Sequence, residues 1–148
     1  MPRERFKLIP AVYLILVRGD EVLLARRCGT LFGAGQYALV QGHVDGGETA
    51  TAAVVREARE EIGIEIVEAD LRCVHVMHRD SEIGEWFDLF FVCERWKNDP
   101  HIAEPDRCDD LVWRRVDDLP KNTMPYIQRV LGHWRRGEFF STWGWNER

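Results

Sequence analysis

Runs of apolar and β-branched residues separated by short polar interruptions dominate the first quarter of the chain. Ala11 to Val17 and Glu21 to Ala25 flank Arg18-Gly19-Asp20, which predicts a hairpin whose second strand ends at Arg26-Arg27. Gly29 to Gly35 reads as a loop, and Tyr37 to Gln41 as a short extended segment entering the glycine-rich turn Gly42-His43-Val44-Asp45-Gly46-Gly47. The pattern then changes. Thr49 to Ile62 lacks strand-like alternation, its first half is rich in alanine, and Gly63 stands where a left-handed cap closes a helix. Ile64 to Val67, Cys73 to His78, Trp86 to Glu94 and Val112 to Val116 are further predicted strands. Pro125 opens a last helix, whose apolar stripe Tyr126, Ile127, Val130, Leu131 and Trp134 ends before Gly137. Strands around one helix and before another predict an α/β fold, a mixed sheet sandwiched between helices.

Composition narrows this further. With 148 residues, 45% of them hydrophobic, the chain suits one compact domain spanning residues 1–148. The apolar run Leu8 to Val17 follows a basic start, as in a secretory signal. Pro10 and Tyr13 interrupt it, however, and no small-residue cleavage site follows. It is read as a buried strand, and no membrane span is expected. Cys28, Cys73, Cys93 and Cys108 form no CxxC pair, so neither a zinc site nor a disulfide scaffold is suggested, and a cytoplasmic setting fits. A formal charge of -5 argues against extended contact with a polynucleotide, whose binding rests on neutralising phosphates. A small phosphorylated ligand stays open, because bound cations can meet its charge.

Each residue of a helix advances by about 100°. Glu57, Glu60 and Glu61 therefore fall within one arc of roughly 100°, apart from the apolar face of Val54, Val55, Ala58 and Ile62. Like charges at that spacing repel, so a positive charge should sit among them. Oxygen ligands of this kind suit magnesium, or alternatively manganese. An isolated ExxEE on a solvated helix face would look the same.

The surrounding spacing separates the two readings. Gly42, Glu48, Arg56-Glu57, Ala58, Glu60-Glu61, Gly63 and Ile64 reproduce GX5EX7REUXEEXGU, where U is apolar. In this the chain resembles the Nudix hydrolase family, in its MutT-like branch. The resemblance implies a loop-helix-loop catalytic module on an α/β/α sandwich, with Glu57, Glu60, Glu61 and the Gly42 carbonyl as ligands of a divalent metal. It implies that Glu48 pairs with Arg56 to hold the loop against the helix, while Gly46 and Gly47 let the loop turn tightly.

Outside this box the likeness is thinner. Glu94-Arg95-Trp96 followed by Glu104 looks like a segment that delivers one more carboxylate, making Glu104 a ligand or general base, or else a solvated loop residue. Arg27 resembles a phosphate-contacting arginine, a role that forked donors suit, with Arg26 its equal at this level. Asn122 resembles an asparagine that reads a base edge in some relatives; near prolines it also fits a plain turn. Gln41 departs from the second glycine of many relatives, and His43 is assigned no chemical role. The aromatic tail Phe139 to Trp145 is expected to cover the core or to make a homodimer contact.

The expected reaction is metal-assisted attack of water on a nucleoside triphosphate, giving a monophosphate and pyrophosphate. The rivals are hydrolysis of a nucleotide sugar or dinucleotide, and a nucleotide-sensing domain without turnover. Relatives that cleave ADP-ribose often carry a proline about fifteen residues beyond the box, and diadenosine polyphosphate hydrolases a tyrosine in a similar place. Neither residue occurs between Glu65 and Asp99, which favours a triphosphate.

Overall fold

A computed structural model describes residues 2–145. Its strands are β1 (Ile9–Arg18), β2 (Glu21–Arg27), β3 (Tyr37–Ala38), β4 (Val40–His43), β5 (Arg72–Ser81), β6 (Gly84–Cys93), β7 (Cys108–Arg115) and β8 (Phe140–Trp143). Helix α1 (Ala50–Ile62) follows β4, and α2 (Pro125–Arg135) precedes β8. The sheet runs β3-β2-β1-β6-β5-β8, with β4 paired to β1 and β7 to β2. It is mixed, since β1 lies parallel to β6 and β5 to β8 while the other pairs are antiparallel.

The alternation of β1 explains the layers. Val12, Leu14 and Leu16 join Val54, Ala58 and Ile62 of α1 in one core. Ala11, Tyr13 and Ile15 point the other way and join Tyr126, Ile127, Val130 and Leu131 of α2 in a second. One strand apolar on both faces thus separates two helices, the α/β/α sandwich the pattern predicts. The apolar start of the chain is this central strand. No helix among the described residues is long and apolar enough to cross a membrane.

Three expectations need correction. Tyr37 to Gln41 is not one strand: β3 serves β2, while β4 crosses to β1. Ile64 to Val67 makes a single bridge, Glu65 to Lys97, before a 3-10 turn at Glu68–Asp70, although Ile64 and Ile66 are buried as a strand reading requires. The aromatic tail contributes a strand, β8, beside β5. Its Trp143 packs on the α2 core, while Phe139 and Phe140 are 55% and 58% exposed, so core cover describes only part of it.

The α2 face also buries charge. Arg79 donates to both oxygens of Asp88, at 2.7 and 3.2 Å, and the Tyr13 hydroxyl donates to the same carboxylate at 3.1 Å. The hydroxyls of Tyr13 and Tyr126 lie 3.1 Å apart. The guanidinium is 4.6 Å from the ring centres of both Trp86 and Tyr126, a cation held between two aromatic faces. Burial opposes the charge on Arg79, but its bonds to Asp88 outweigh that and leave it more firmly protonated than usual. Burial likewise pushes the Asp88 carboxyl up, and Arg79 and Tyr13 offset part of the rise.

Candidate active site

Helix α1 begins where the Thr49 hydroxyl accepts the Ala52 amide at 3.1 Å, a side-chain cap of the kind worth about 1 kcal/mol. It ends at Gly63, whose φ of 68° is the left-handed conformation that favours glycine. Between these caps Ala53, Val54, Ala58 and Ile62 are buried, which turns Arg56, Glu57, Glu60 and Glu61 towards β4 and the loop after it. The residue that receives them is Gly42. A Cβ on Gly42 would lie 2.1 Å from Glu57 Oε1, so the carboxylate of Glu57 occupies the space that any side chain there would fill.

Arg56 is the hub. Its Nη2 and Nε reach the two oxygens of Glu48 at 2.8 and 3.1 Å, the bidentate fork that guanidinium and carboxylate geometry favour. Nη1 donates to Glu57 at 2.8 Å and more distantly to Glu60 at 3.4 Å. Nη2 also meets the His43 carbonyl at 3.1 Å and Asp45 at 3.4 Å. Glu48 in turn accepts the Asp45 amide at 2.8 Å, which closes the loop onto the helix. The bonds from Arg56, and secondarily from the Asp45 amide, hold the Glu48 carboxyl below its usual range. The Glu48 bond, more than any other contact, keeps Arg56 firmly protonated despite partial burial. The loop turns at Gly47, with φ of 86°; Gly46 is not in the positive-φ region.

Glu61 lies beyond the reach of that guanidinium. Its Oε2 accepts the Gln41 amide at 3.2 Å, and the Glu57 carboxylate is its charged neighbour. Burial, then the neighbouring Glu57 charge, push the Glu61 carboxyl well above the carboxylate range. Burial also raises Glu57, against the pull of Arg56. Each charge thus disfavours the other, and an added cation would relieve both. Glu60 stands apart: its side chain is 50% exposed and turned onto Arg56, so two of the three carboxylates converge rather than all three. Among the described residues no group of three acidic, histidine or cysteine side chains is drawn together closely enough to hold an ion as it stands. The donors nevertheless fit a hard cation. They are all oxygens, and one guanidinium faces Asp45, Glu48, Glu57 and Glu60 with Glu61 left over.

Glu104 reaches this group through backbone. The His101 and Ala103 amides donate to the carbonyls of Ile62 and Glu61 at 3.0 and 3.1 Å, filling acceptors that a helix end leaves free. Glu104 is the next residue, near enough for its charge to raise Glu61 further. Arg27 and Asn122 belong to a second group, around the loop between β2 and β3. Arg27 Nε donates to the Phe32 carbonyl at 2.6 Å, and Asn122 Nδ2 to the Gly35 carbonyl at 2.8 Å. Arg26 is engaged in the same way, through Nε, but its partner is a carboxylate, Asp109, at 2.7 Å. Sequence reasoning missed Asp45, the Gln41 amide and His101. The first sits in the loop with no distinguishing neighbour, the second acts through backbone, and nothing local marks the third.

A model of the NUDIX domain matches residues 7–134. The chain belongs to the Nudix family. It is similar to a protein of Pseudomonas aeruginosa named NAD-capped RNA hydrolase NudC, with 32% identity over 127 residues, which is 86% of this chain and 42% of that protein. A protein of the same name from Stutzerimonas stutzeri is 30% identical over 77% of this chain and 39% of its own length. The chain thus spans about two-fifths of these curated relatives. Among solved structures, a MutT NUDIX hydrolase from Burkholderia pseudomallei superposes with a TM-score of 0.78 at 26% identity, covering 86% of this chain and 98% of that one. A MutT protein from Methanosarcina mazei, at 20% identity and TM-score 0.77 over 87% and 94% of the two chains, shares the fold. The Nudix box of this chain is therefore the Gly42 to Ile64 segment, whose geometry is described above.

Proposed function

We propose that this Nudix protein hydrolyses a phosphoanhydride bond of a nucleotide with the help of a divalent cation, magnesium or manganese. The observation that carries the reading is the half-buried Glu57–Glu61 pair beside Gly42, where the Glu57 carboxylate fills the space a side chain at 42 would take and one guanidinium serves the whole acidic group. A pair of this kind is costly unless a cation or a proton balances it, and a surface helix face would not bury it.

Glu57, Glu61 and the Gly42 carbonyl would hold the cation, with Glu60 joining after a side-chain turn away from Arg56, and Glu104 as a further carboxylate. When bound, the cation would lower the pKa of a water and offset charge on phosphate oxygens. The chain's own part is to place these groups. Arg56 and Glu48 hold the loop that carries Gly42, and Gly63 ends the helix so that Glu61 faces Gln41. Glu104, or one of Glu57, Glu60 and Glu61, would accept a proton from the attacking water. The Nη groups of Arg27 would contact phosphate. Asn122 keeps its Oδ1 for a base edge, since Nδ2 is engaged by Gly35.

The favoured substrate is a nucleoside triphosphate, which with one water yields a nucleoside monophosphate and pyrophosphate. One observation supports a second reading: the likeness to relatives named NAD-capped RNA hydrolase favours a dinucleotide, which with one water yields two mononucleotides. A panel of triphosphates, dinucleotides and nucleotide sugars, assayed with magnesium and with product identification, separates them. Monophosphate plus pyrophosphate from a triphosphate supports the first, turnover confined to dinucleotides the second. Undiminished hydrolysis by thoroughly metal-stripped protein would overturn both.

A further inference from the structure

The segment between Lys97 and Cys108 crosses the end of α1 without forming an element of its own, yet it is fastened along its length. At its start Glu65 and Lys97 exchange both backbone hydrogen bonds, at 3.0 and 3.1 Å. Next come the His101 and Ala103 amides on the Ile62 and Glu61 carbonyls. After Glu104 the chain turns, with the Glu104 carbonyl accepting from Arg107 and Cys108 at 2.9 and 3.0 Å. It then meets the loop that follows β2: the Cys28 amide donates to the Arg107 carbonyl at 3.0 Å, and the Cys28 thiol lies 3.6 Å from the Pro105 carbonyl.

Two glycines bracket Glu104. A Cβ on Gly63 would come within 2.1 Å of the His101 ring, so the imidazole lies directly on the bare face of the helix cap. A Cβ on Gly29 would come within 2.5 Å of the Asp106 carbonyl oxygen. Both glycines also adopt positive φ, 68° and 71°. One clamp is three residues before Glu104 and the other two residues after it. The second clamp is also two residues from Arg27.

We infer that residues 97–108 form a strap whose clamps, His101 on Gly63 and Asp106 on Gly29, position Glu104 over the Glu57–Glu61 pair and couple it to the Arg27 loop. His101 is then a positioning residue that acts through its ring plane, with no proton to transfer. The inference rests on the proposed role of Glu104, and it adds a cause for that carboxylate's placement and a link from the phosphate-side loop to the acidic site. A strap held only by exposed backbone bonds would swing. Ring-on-glycine contact removes that freedom, and small displacements of a reacting group are costly.

The test uses the whole protein in four variants: His101→Ala, His101→Phe, Glu104→Gln and the double variant His101→Ala/Glu104→Gln. Manganese affinity is read by electron paramagnetic resonance of the free ion, turnover by product release, and strap order by hydrogen exchange at the His101 and Ala103 amides. His101→Ala should weaken manganese binding or kcat by about 10- to 100-fold, the range for groups that orient a ligand from behind. It should also lose protection at those two amides while β1 amides keep theirs. His101→Phe, which keeps a ring, should restore most of the loss, and the double variant should be no worse than Glu104→Gln. Parent-like affinity, turnover and protection in His101→Ala, beside a clear loss in Glu104→Gln, would overturn the inference and leave the Glu104 role standing. Losses that simply multiply in the double variant would overturn it too. If Glu104→Gln behaves as the parent, the role of Glu104 falls and the inference with it.

Discussion

The protein buries charge on both faces of its sheet, and the two groups are built on opposite terms. On the α2 face Arg79, Asp88, Tyr13 and Tyr126 satisfy one another: one cation, one carboxylate, two hydroxyls and two aromatic walls. On the α1 face one guanidinium serves Glu48, Glu57, Glu60 and Asp45, while Glu61 is half-buried beside a like charge. Burial alone does not mark chemistry. Imbalance does, since a balanced group has no use for a ligand and an unbalanced one is stabilised by it.

The comparison breaks most visibly at Arg79. Replacing it with Met strands Asp88 in the core, and metal-free unfolding should show a loss of about 3 to 5 kcal/mol, the cost of leaving a buried charge unpaired. Urea denaturation checks this, and magnesium should leave the deficit unchanged. A loss under about 1 kcal/mol would mean that Asp88 sits protonated and the α2 group is no ion pair.

Glu61→Gln should do the reverse. With a like charge removed from a half-buried pair, metal-free stability should be equal or higher. Yet kcat should fall at least about 100-fold, the scale on which preorganised electrostatic groups act. Unfolding and steady-state kinetics on the same preparation test both halves. Full turnover with lowered stability would make the acidic group structural, like its counterpart.

Arg56→Lys sharpens the contrast between a fork and a point charge. Lysine keeps the charge but cannot serve Glu48 bidentately while reaching Glu57. Turnover should drop about tenfold, within the range for orienting partners, with a modestly lower melting temperature. Calorimetry and an activity assay would show it.

The smallest effect concerns pH and the α2 side. His75 Nδ1 lies 2.7 Å from the Glu138 carbonyl, which can only accept, so Nδ1 carries the proton and Nε2 accepts from the Ser141 hydroxyl at 2.7 Å. Burial lowers its pKa from the ordinary 6.5, and the adjacent His133 adds to that. A lowered folded value means that stability is fully present above pH about 6.5 and is lost as pH falls through the folded value. The loss amounts to about 1.4 kcal/mol for each unit of lowering. Melting temperatures between pH 7 and 5 should decline, and His75→Gln should flatten that slope.

How much of this was legible beforehand depends on where the determining forces act. Helix α1 was readable because its alanine-rich first half and the Gly63 cap are local signals, and the order of its charges needs only the helical period. Strand β8 was not, because Phe140–Trp143 becomes a strand only when β5 offers an edge, and its sequence alternates no differently from a loop with aromatics. Ile64 and Ile66 alternate as a strand would and are buried as one, but only Glu65 finds a partner. The Arg79–Asp88 pair was also missed, although Asp88 inside the apolar run Trp86 to Cys93 was a signal that a partner must exist. In the site, the fork between Glu48 and Arg56 came from resemblance and agrees with the geometry. The turn of Glu60 onto Arg56 did not, since helical spacing fixes where a side chain starts and not where a flexible one ends.

Strand β4 carries one more consequence. Gly42 meets α1, and strand alternation sends the side chains of Gln41 and His43 to the opposite face, where the His43 ring lies 5.2 Å from Trp86. Gln41 contributes its amide to Glu61 on one side while its Oε1 is buried, without a partner among the described residues, on the other. The two positions flanking Gly42 can therefore mutate against the back wall while the backbone they share goes on serving the carboxylates in front. A lineage drifting at 41 and 43 can remodel what lies behind the strand and keep its chemistry throughout, so divergence at these two positions should run ahead of divergence in the acidic helix.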